Sequence, residues 1–224
     1  MRDRILKIFL PILAVCLLAL QTGCSLGKES TPSTFYVLTS LPQSTDALPI
    51  FEGDPPDVGV AQIEIPKYLD RPQMAYRVNT NQVEFNEFER WAEPISSGVT
   101  RVTRENLTQL LGPGKVAAFP WMQAYPRKYM LSAVVTDFSA NNDGIAELSI
   151  IYRIADRRNQ TTYLISEATF KDSSGSRLST ASAVEALSDT LEQFSRAAAN
   201  DIAKVDAEQK AQASQEQPAS ITPK

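Results

Sequence analysis

The segment KYMLSAVVTDFSANNDGIAELSIIYRI, residues 128–154, decides the fold class because it encodes two strands and the turn between them. Both halves are rich in the β-branched and aromatic residues that favour strands. The NNDG sequence at 141–144 supplies residues that accept the backbone angles of a tight hairpin turn. We therefore predict that Lys128–Phe138 and Ile145–Ile154 pair antiparallel, and that Thr161–Phe170 follows as a third strand.

Strand signals also occupy the first half of the chain. Thr34–Thr39 is rich in β-forming residues, and Val58–Ile65 alternates apolar residues with a predicted bulge near 61–62. Ala75–Val78 and Val83–Asn86 flank a polar turn and predict a hairpin. Residues 41–57 contain four prolines and are interpreted as a surface loop.

Two segments have the pattern of amphipathic helices. Trp91–Leu111 carries apolar residues on one side, with Pro94 in its first turn and Gly112 after its end. A second stripe spans about six turns and is predicted to pack on the sheet; its members are Val184, Leu187, Leu191, Phe194, Ala198, Ile202 and Val205. The expected fold is a single α+β domain at 34–206, a mainly antiparallel sheet with two principal helices packed on one face.

Composition excludes several classes of function. The 224 residues are 43% hydrophobic and 21% charged, carry a formal charge of −4 and include no histidine. Catalysis by Ser-His-Asp or Cys-His groups and His-ligated zinc are therefore excluded. Both cysteines, Cys16 and Cys24, lie at the N-terminus, so the predicted domain has no disulfide or thiol nucleophile. The acidic balance argues against nucleic acid as a partner.

The N-terminus has the pattern of a secretory signal. Arg2, Arg4 and Lys7 precede an apolar run at 8–20, which is too short to cross a membrane. Small residues before Cys24 resemble a bacterial lipobox, although Gln21 stands where the usual motif has leucine. We interpret 1–23 as a lipoprotein signal peptide and 24–33 as an acylated cysteine and polar tether. An ordinary secreted protein is the alternative.

Cleavage before Cys24 would remove three basic side chains and one acidic one, which changes the formal charge from −4 to −6. Two or three acyl chains on Cys24 would hold the domain on a membrane without a transmembrane helix. Ser25 resembles the residue that directs enteric lipoproteins to the outer membrane. The polar segment 207–224 is predicted to be a disordered tail.

Each constellation that suggests catalysis has a simpler explanation. Glu84, Glu87, Glu89 and Glu93 fit solvated strand and helix-start positions. The 141–144 turn fails as an EF-hand loop, because Ile150 stands where the bidentate glutamate is required. The sequence contains no P-loop or dinucleotide motif. We therefore expect a protein that is not an enzyme and that needs neither a metal nor a cofactor, with a lipid hydrolase or transferase as the minority alternative.

Two short segments remain as candidate sites. Ile65–Pro72 reads IPKYLDRP, in which two prolines bracket an aromatic, an aliphatic and an Asp-Arg pair. It is interpreted either as a structural turn or as a partner-binding loop whose contact residues would be Pro66, Tyr68, Leu69, Asp70 and Arg71. In Glu89–Pro94 we interpret Trp91 as a core anchor, with Arg90 and Pro94 completing a structural motif.

These segments carry a resemblance to a known family. Phe35-Tyr-Val-Leu38, residues 65–72, Arg90-Trp91-Ala92-Glu93-Pro94 and Phe119-Pro120-Trp121 occur in the order found in PqiC-type lipoproteins, which are auxiliary components of ABC-type and MCE-type intermembrane transport systems. The resemblance covers most of the chain after Cys24.

The resemblance implies a domain anchored in the outer membrane and facing the periplasm. Its partners would be an MCE protein fixed in the inner membrane and that protein's permease system. The lipoprotein would dock the distal end of a conduit for phospholipids or other hydrophobic compounds, and a ring-forming partner would suit a cyclic homo-oligomer. The alternative from another class is an assembly lipoprotein that braces an envelope or secretion complex.

Overall fold

The computed structural model describes residues 31–42, 51, 53–118, 127–141, 144–156, 161–173 and 179–216. These residues form eight strands and two helices, which in chain order are β1 Thr34–Tyr36, β2 Val58–Val60, β3 Gln73–Asn79, β4 Gln82–Trp91, α1 Ile95–Leu111, β5 Val116–Ala118, β6 Tyr129–Asn141, β7 Ile145–Asp156, β8 Thr162–Ser173 and α2 Thr180–Glu216. The α+β class is confirmed. The three late strands and the early hairpin are also present, and each strand is longer than predicted.

Strands β6, β7 and β8 form the antiparallel ladder that the sequence predicts. Val135 pairs with Ile150, and Tyr152 pairs with Ser166. Gly144 has φ 89° in the turn and donates its N–H to the carbonyl of Asn141. An irregularity follows Val135 and ends the alternation in which odd-numbered residues of β6 are buried, since Phe138, Ser139 and Ala140 are all buried.

The sheet is mixed rather than mainly antiparallel, which corrects the prediction. Its antiparallel pairs are β3–β4, β6–β7 and β7–β8, whereas β1–β4, β2–β5, β2–β6 and β3–β6 are parallel. Parallel neighbours need long crossover connections, which leave no turn signal in the sequence. The local hairpin signals therefore reveal only the antiparallel part.

Residues 58–79 run parallel to β6 along one of its edges, with an interruption in the middle. The predicted strand 58–65 is regular only as far as Val60, and Glu64 then forms an isolated bridge to Val134. Pairing resumes in β3, where Tyr76 lies opposite Ala140. The chain leaves the sheet between these two contacts, and the loop that contains residues 66–72 fills the gap.

Helix α1 begins four residues later than predicted. Trp91 belongs to β4, where it pairs with Tyr36 of β1, so strand pairing extends through the start of the predicted helix. Pro94 immediately precedes the helix, as its fixed φ favours. The helix ends at Leu111, and Gly112 follows with φ 102°.

Helix α2 buries the predicted stripe against β6–β8 and against α1. Phe194 is fully buried, with its ring centroid 5.4 Å from that of Tyr152. Asn106 of α1 donates a buried hydrogen bond of 3.2 Å to Ser195. The two helices therefore share one core with the inner face of the sheet.

The boundary placed at residue 206 needs correction, because α2 continues to Glu216. Residues 207–215 are largely exposed. Ala, Glu, Gln and Lys are strong helix formers, and they extend a helix that packing has already nucleated. Residues 217–224 of the predicted tail lie outside the described residues. Within the described ranges, no helix is both long enough and apolar enough to cross a membrane.

Candidate docking site

The proline loop, residues 66–72, is a compact turn held by its own backbone. The N–H groups of Leu69 and Asp70 both donate to the carbonyl of Pro66, at 2.9 and 3.2 Å. Arg71 donates its N–H to the carbonyl of Leu69 at 2.8 Å. The loop therefore has an ordered backbone that can present side chains in fixed positions.

The two apolar side chains of the loop have opposite environments. Leu69 is 4% exposed and belongs to the hydrophobic core, whereas Tyr68 is 43% exposed. This corrects the prediction that both residues contact a partner, because a buried leucine is not available for docking. Leu69 anchors the loop in the hydrophobic core, and Tyr68 lies on the surface.

Asp70 and Arg71 tie the loop to its surroundings. The Asp70 carboxylate accepts a hydrogen bond of 3.3 Å from the N–H of Ser96, in the first turn of α1. The Arg71 guanidinium lies over the ring of Phe85 in β4, 4.2 Å from its centroid. The loop thus links a helix N-terminus to the sheet, and both contacts favour a rigid arrangement.

The structure brings the proline loop and the segment 90–94 together. Trp91 donates its N–H to the carbonyl of Pro72 at 2.7 Å, and its side chain is 9% exposed, which fits the predicted core anchor. Residues 70–72 and 91–94 line a pocket of about 440 Å³. Two segments that stand about twenty residues apart in the sequence therefore form one surface site.

Glu93 extends this site towards the N-terminal strand. Its carboxylate lies 2.7 Å from Arg101, whose guanidinium also donates to the carbonyl of Leu38 at 3.0 Å. The hydrogen bond to Glu93 raises the pKa of Arg101, and it outweighs the opposite effect of burial. Gly98 makes room for this pair, since a Cβ there would lie 3.2 Å from the Glu93 carboxylate.

The backbone that follows β1 is fastened by side chains of both helices. Thr39 donates its N–H to Ser188 of α2 at 3.2 Å. The N–H of Leu41 donates to Asn106 at 2.7 Å, and its carbonyl accepts from Gln109 at 2.7 Å. We call residues 38–41 the entry clamp, because the chain enters the domain there. Sequence reasoning missed it, although a buried asparagine on the apolar side of a helix is a detectable signal.

Titratable groups with shifted pKa values serve as ties between elements. The Asp206 carboxylate of α2 is buried and accepts hydrogen bonds from Lys128 at 2.7 Å and Tyr129 at 3.0 Å, and Lys210 lies 2.7 Å from it. Burial alone would raise the pKa of Asp206, but these three partners lower it below its usual value. Burial and a 2.6 Å hydrogen bond to Asp201 raise the pKa of Tyr152 to about 12.

In both arrangements the phenol is stabilised in its protonated form. Among the described residues, no group of acidic side chains is placed to hold a metal ion. Cys24 and the Phe119–Trp121 segment lie outside the described residues, so the lipidation of Cys24 stays a prediction.

Comparisons with known proteins identify a family and support the fold. The model of a family described as the ABC-type transport auxiliary lipoprotein component matches residues 36–199. The chain is similar to the crystal structure of XCC0632 from Xanthomonas campestris, of family DUF330, with 17% identity, a TM-score of 0.65, and coverage of 80% of this chain and 99% of that one.

A crystal structure of an uncharacterized protein is similar at 19% identity and a TM-score of 0.62, and covers 77% of this chain and 99% of that one. At these identities the two structures support the fold alone. No curated protein matches the chain at a significant level.

Proposed function

We propose that this protein is a non-enzymatic docking subunit of an MCE-type intermembrane transport system. The basis of the proposal is that the chain belongs to the family of ABC-type transport auxiliary lipoprotein components. Acyl chains on Cys24 would hold it in the outer membrane, facing the periplasm. Its partners would be an MCE protein of the inner membrane and the associated permease.

The observation that carries this proposal is the meeting of the proline loop with segment 90–94. Tyr68 is exposed above a loop that Leu69, Asp70 and Arg71 hold in place. A tyrosine on a rigid support is the kind of residue that anchors protein interfaces, because little conformational entropy is lost when it is covered. The adjacent pocket beside Trp91 could accept a side chain of the partner.

Physical chemistry explains why such a subunit is useful. Moving a phospholipid through water exposes two acyl chains, at about 0.8 kcal/mol for each CH₂ group. A conduit that ends on an anchored acceptor avoids this cost. The driving energy would come from the permease system or from a gradient. A cyclic homo-oligomer would match a ring-shaped conduit.

The proposal is tested by co-purification from crosslinked cell envelopes. An affinity tag inserted at the exposed β3–β4 turn, between Thr80 and Asn81, leaves the proline loop untouched. We expect mass spectrometry to recover an MCE protein and phospholipid with the tagged chain. Cys24→Ala should reduce both and should alter membrane fractionation.

Two results would contradict the proposal. Recovery of a secretion or wall-bracing complex without an MCE protein would favour the assembly role instead. Normal fractionation and complementation by Cys24→Ala would show that lipid anchoring does not matter.

A further inference from the structure

The β1 end of the sheet carries an apolar surface beside the point where the chain enters the domain. Phe35 is 62% exposed, Val37 47% and Phe88 46%, all high values for large apolar side chains. Tyr36 and Leu38, which alternate with Phe35 and Val37, are turned inward, and Leu38 is only 2% exposed. Phe35 and Val37 are therefore exposed because side chains alternate between the two sides of an extended segment.

Phe35 and Phe88 are neighbours at this end of the sheet. Phe35 of β1 is in register with Arg90 of β4, and Phe88 stands two residues before Arg90. The register of β4 against β3 shifts between Asn86 and Arg90, so Phe88 is grouped with Phe35 by this proximity and by its exposure. We call Phe35, Val37 and Phe88 the entry face.

The length of the preceding chain limits what can cover the entry face. Thr34 lies ten positions after Cys24. A coil of ten residues spans about 16–19 Å on average, and the fully extended chain spans at most about 36 Å. A domain anchored through Cys24 therefore keeps β1 close to the lipid surface.

From this geometry we infer that the entry face rests on the membrane that holds the acyl chains, with Phe35 and Phe88 inserted at the lipid headgroup level. The inference depends on the lipid anchor of the proposed function. Aromatic and aliphatic side chains partition into this region, and they need no basic cluster to do so when acyl chains already supply the attachment. The entry clamp fixes β1 relative to the rest of the domain, because residues 38–41 are hydrogen-bonded to both helices. Membrane contact at β1 therefore orients the whole domain.

The opposite end of the sheet supplies a matched control. Ile165 of β8 is 67% exposed, slightly more than Phe35. The sheet runs from β1 through β4, β3, β6 and β7 to β8, which separates the ends by about 24 Å at 4.8 Å per strand. If exposure alone determined lipid contact, Ile165 would insert as readily as Phe35.

The test uses the full-length lipidated protein in vesicles of phosphatidylethanolamine and phosphatidylglycerol. Acylated Cys24 leaves no other thiol in the processed chain, so Phe35→Cys, Phe88→Cys and Ile165→Cys each accept one environment-sensitive fluorophore. Nitroxide lipids report contact with the bilayer, and aqueous iodide reports contact with water. We expect nitroxide quenching at positions 35 and 88 to exceed that at 165 several-fold, with iodide quenching in the reverse order.

The outcomes separate this inference from the function on which it rests. A chain that is not acylated and does not float with the vesicles overturns both. An acylated, vesicle-bound chain with equal lipid quenching at all three positions overturns the membrane contact alone. Protection of position 35 from iodide without nitroxide quenching would mean that protein covers the face, which also overturns the inference. Thermal melts of each labelled variant confirm that the domain is folded.

Discussion

At the β8 end of the sheet, neighbouring strands are also neighbours in sequence, whereas at the other end β1 pairs with a strand that lies far along the chain. Strands β6, β7 and β8 follow one another through short connections and pair along almost their whole length. Strand β1 has three residues and pairs with β4, more than fifty positions later. Its continuation is held by hydrogen bonds from α1 and α2 that span 63 to 149 positions.

This difference assigns different roles to the two ends. The β6–β8 end, with α2 packed on it, is a hydrophobic framework whose stability comes from buried apolar area. The β1 end combines a strand of three residues with exposed Phe35, Phe88 and Tyr68 and with the proline loop. The framework therefore stabilises a surface that is shaped by polar contacts and is available to partners.

The largest effect is expected at the framework end. Phe194→Ala removes a fully buried ring beside Tyr152 and Phe170, and should lower the free energy of unfolding by about 3–5 kcal/mol. Phe88→Ala at the β1 end should change it by about 0.5 kcal/mol or less. Urea unfolding of the chain that starts at residue 25 measures both. Equal losses would remove the distinction between framework and surface.

Within the proline loop, substitutions of Leu69 and Tyr68 should have different effects on stability. Leu69→Ala should cost about 2–5 kcal/mol of stability, because its side chain is buried in the core. Tyr68→Ala should change stability by about 0.5 kcal/mol or less and should reduce recovery of the MCE protein from crosslinked envelopes. A large loss of stability for Tyr68→Ala would instead make the loop a purely structural turn.

A smaller effect is expected from the tie between α2 and the start of β6. Asp206→Asn leaves Lys128, Tyr129 and Lys210 without their carboxylate and should cost about 1–3 kcal/mol at pH 7. Because folding lowers the pKa of Asp206, its contribution is complete above the unfolded value, about 3.9, and is lost as the pH falls through the folded value.

Thermal unfolding between pH 7 and pH 3 tests this sign. The difference in melting temperature between the native chain and Asp206→Asn should be largest at pH 7 and should shrink below about pH 4. A difference that grows as the pH falls would contradict the lowered pKa of Asp206.

The smallest effect is expected in the entry clamp. Arg101→Met keeps an apolar stem but loses the hydrogen bonds to Glu93, Glu105 and Leu38, at a cost of about 1 kcal/mol for partly exposed groups. Amide exchange at Thr39 and Leu41 should become faster than elsewhere in the core. Arg104→Met removes only an exposed pair with Glu105 and is the control. Equal exchange in both variants would show that Arg101 does not hold the clamp.

The same contrast explains which features the sequence can predict. The NNDG turn and the alternation in β6 and β7 are local signals, so these strands and the stripe of α2 are recognisable. The parallel pairing of β2 and β3 with β6 depends on contacts between distant segments, and periodicity carries no information about such contacts. The helical pattern extends back to Trp91 because local sequence cannot show that β1 pairs with this residue.

The candidate site is predictable in part for the same reason. Prolines 66 and 72 mark the loop, whereas the contacts of Asp70 with Ser96 and of Arg71 with Phe85 join residues that are distant in sequence. Leu69 is buried and Tyr68 is exposed because their side chains face opposite ways in the turn. Local sequence does not predict these directions. The entry clamp is hydrogen-bonded by Arg101, Asn106 and Ser188 from two helices, and local sequence does not show that these side chains meet it.

Site-specific photocrosslinking in living cells can show directly whether Tyr68 contacts an MCE protein. A photoreactive phenylalanine analogue replaces Tyr68 in one variant and Ile165, which is more exposed, in the matched control. We expect an MCE protein to be captured from position 68 and not from position 165. Capture of some other envelope protein from position 68, or equal capture of the MCE protein from both positions, would contradict it.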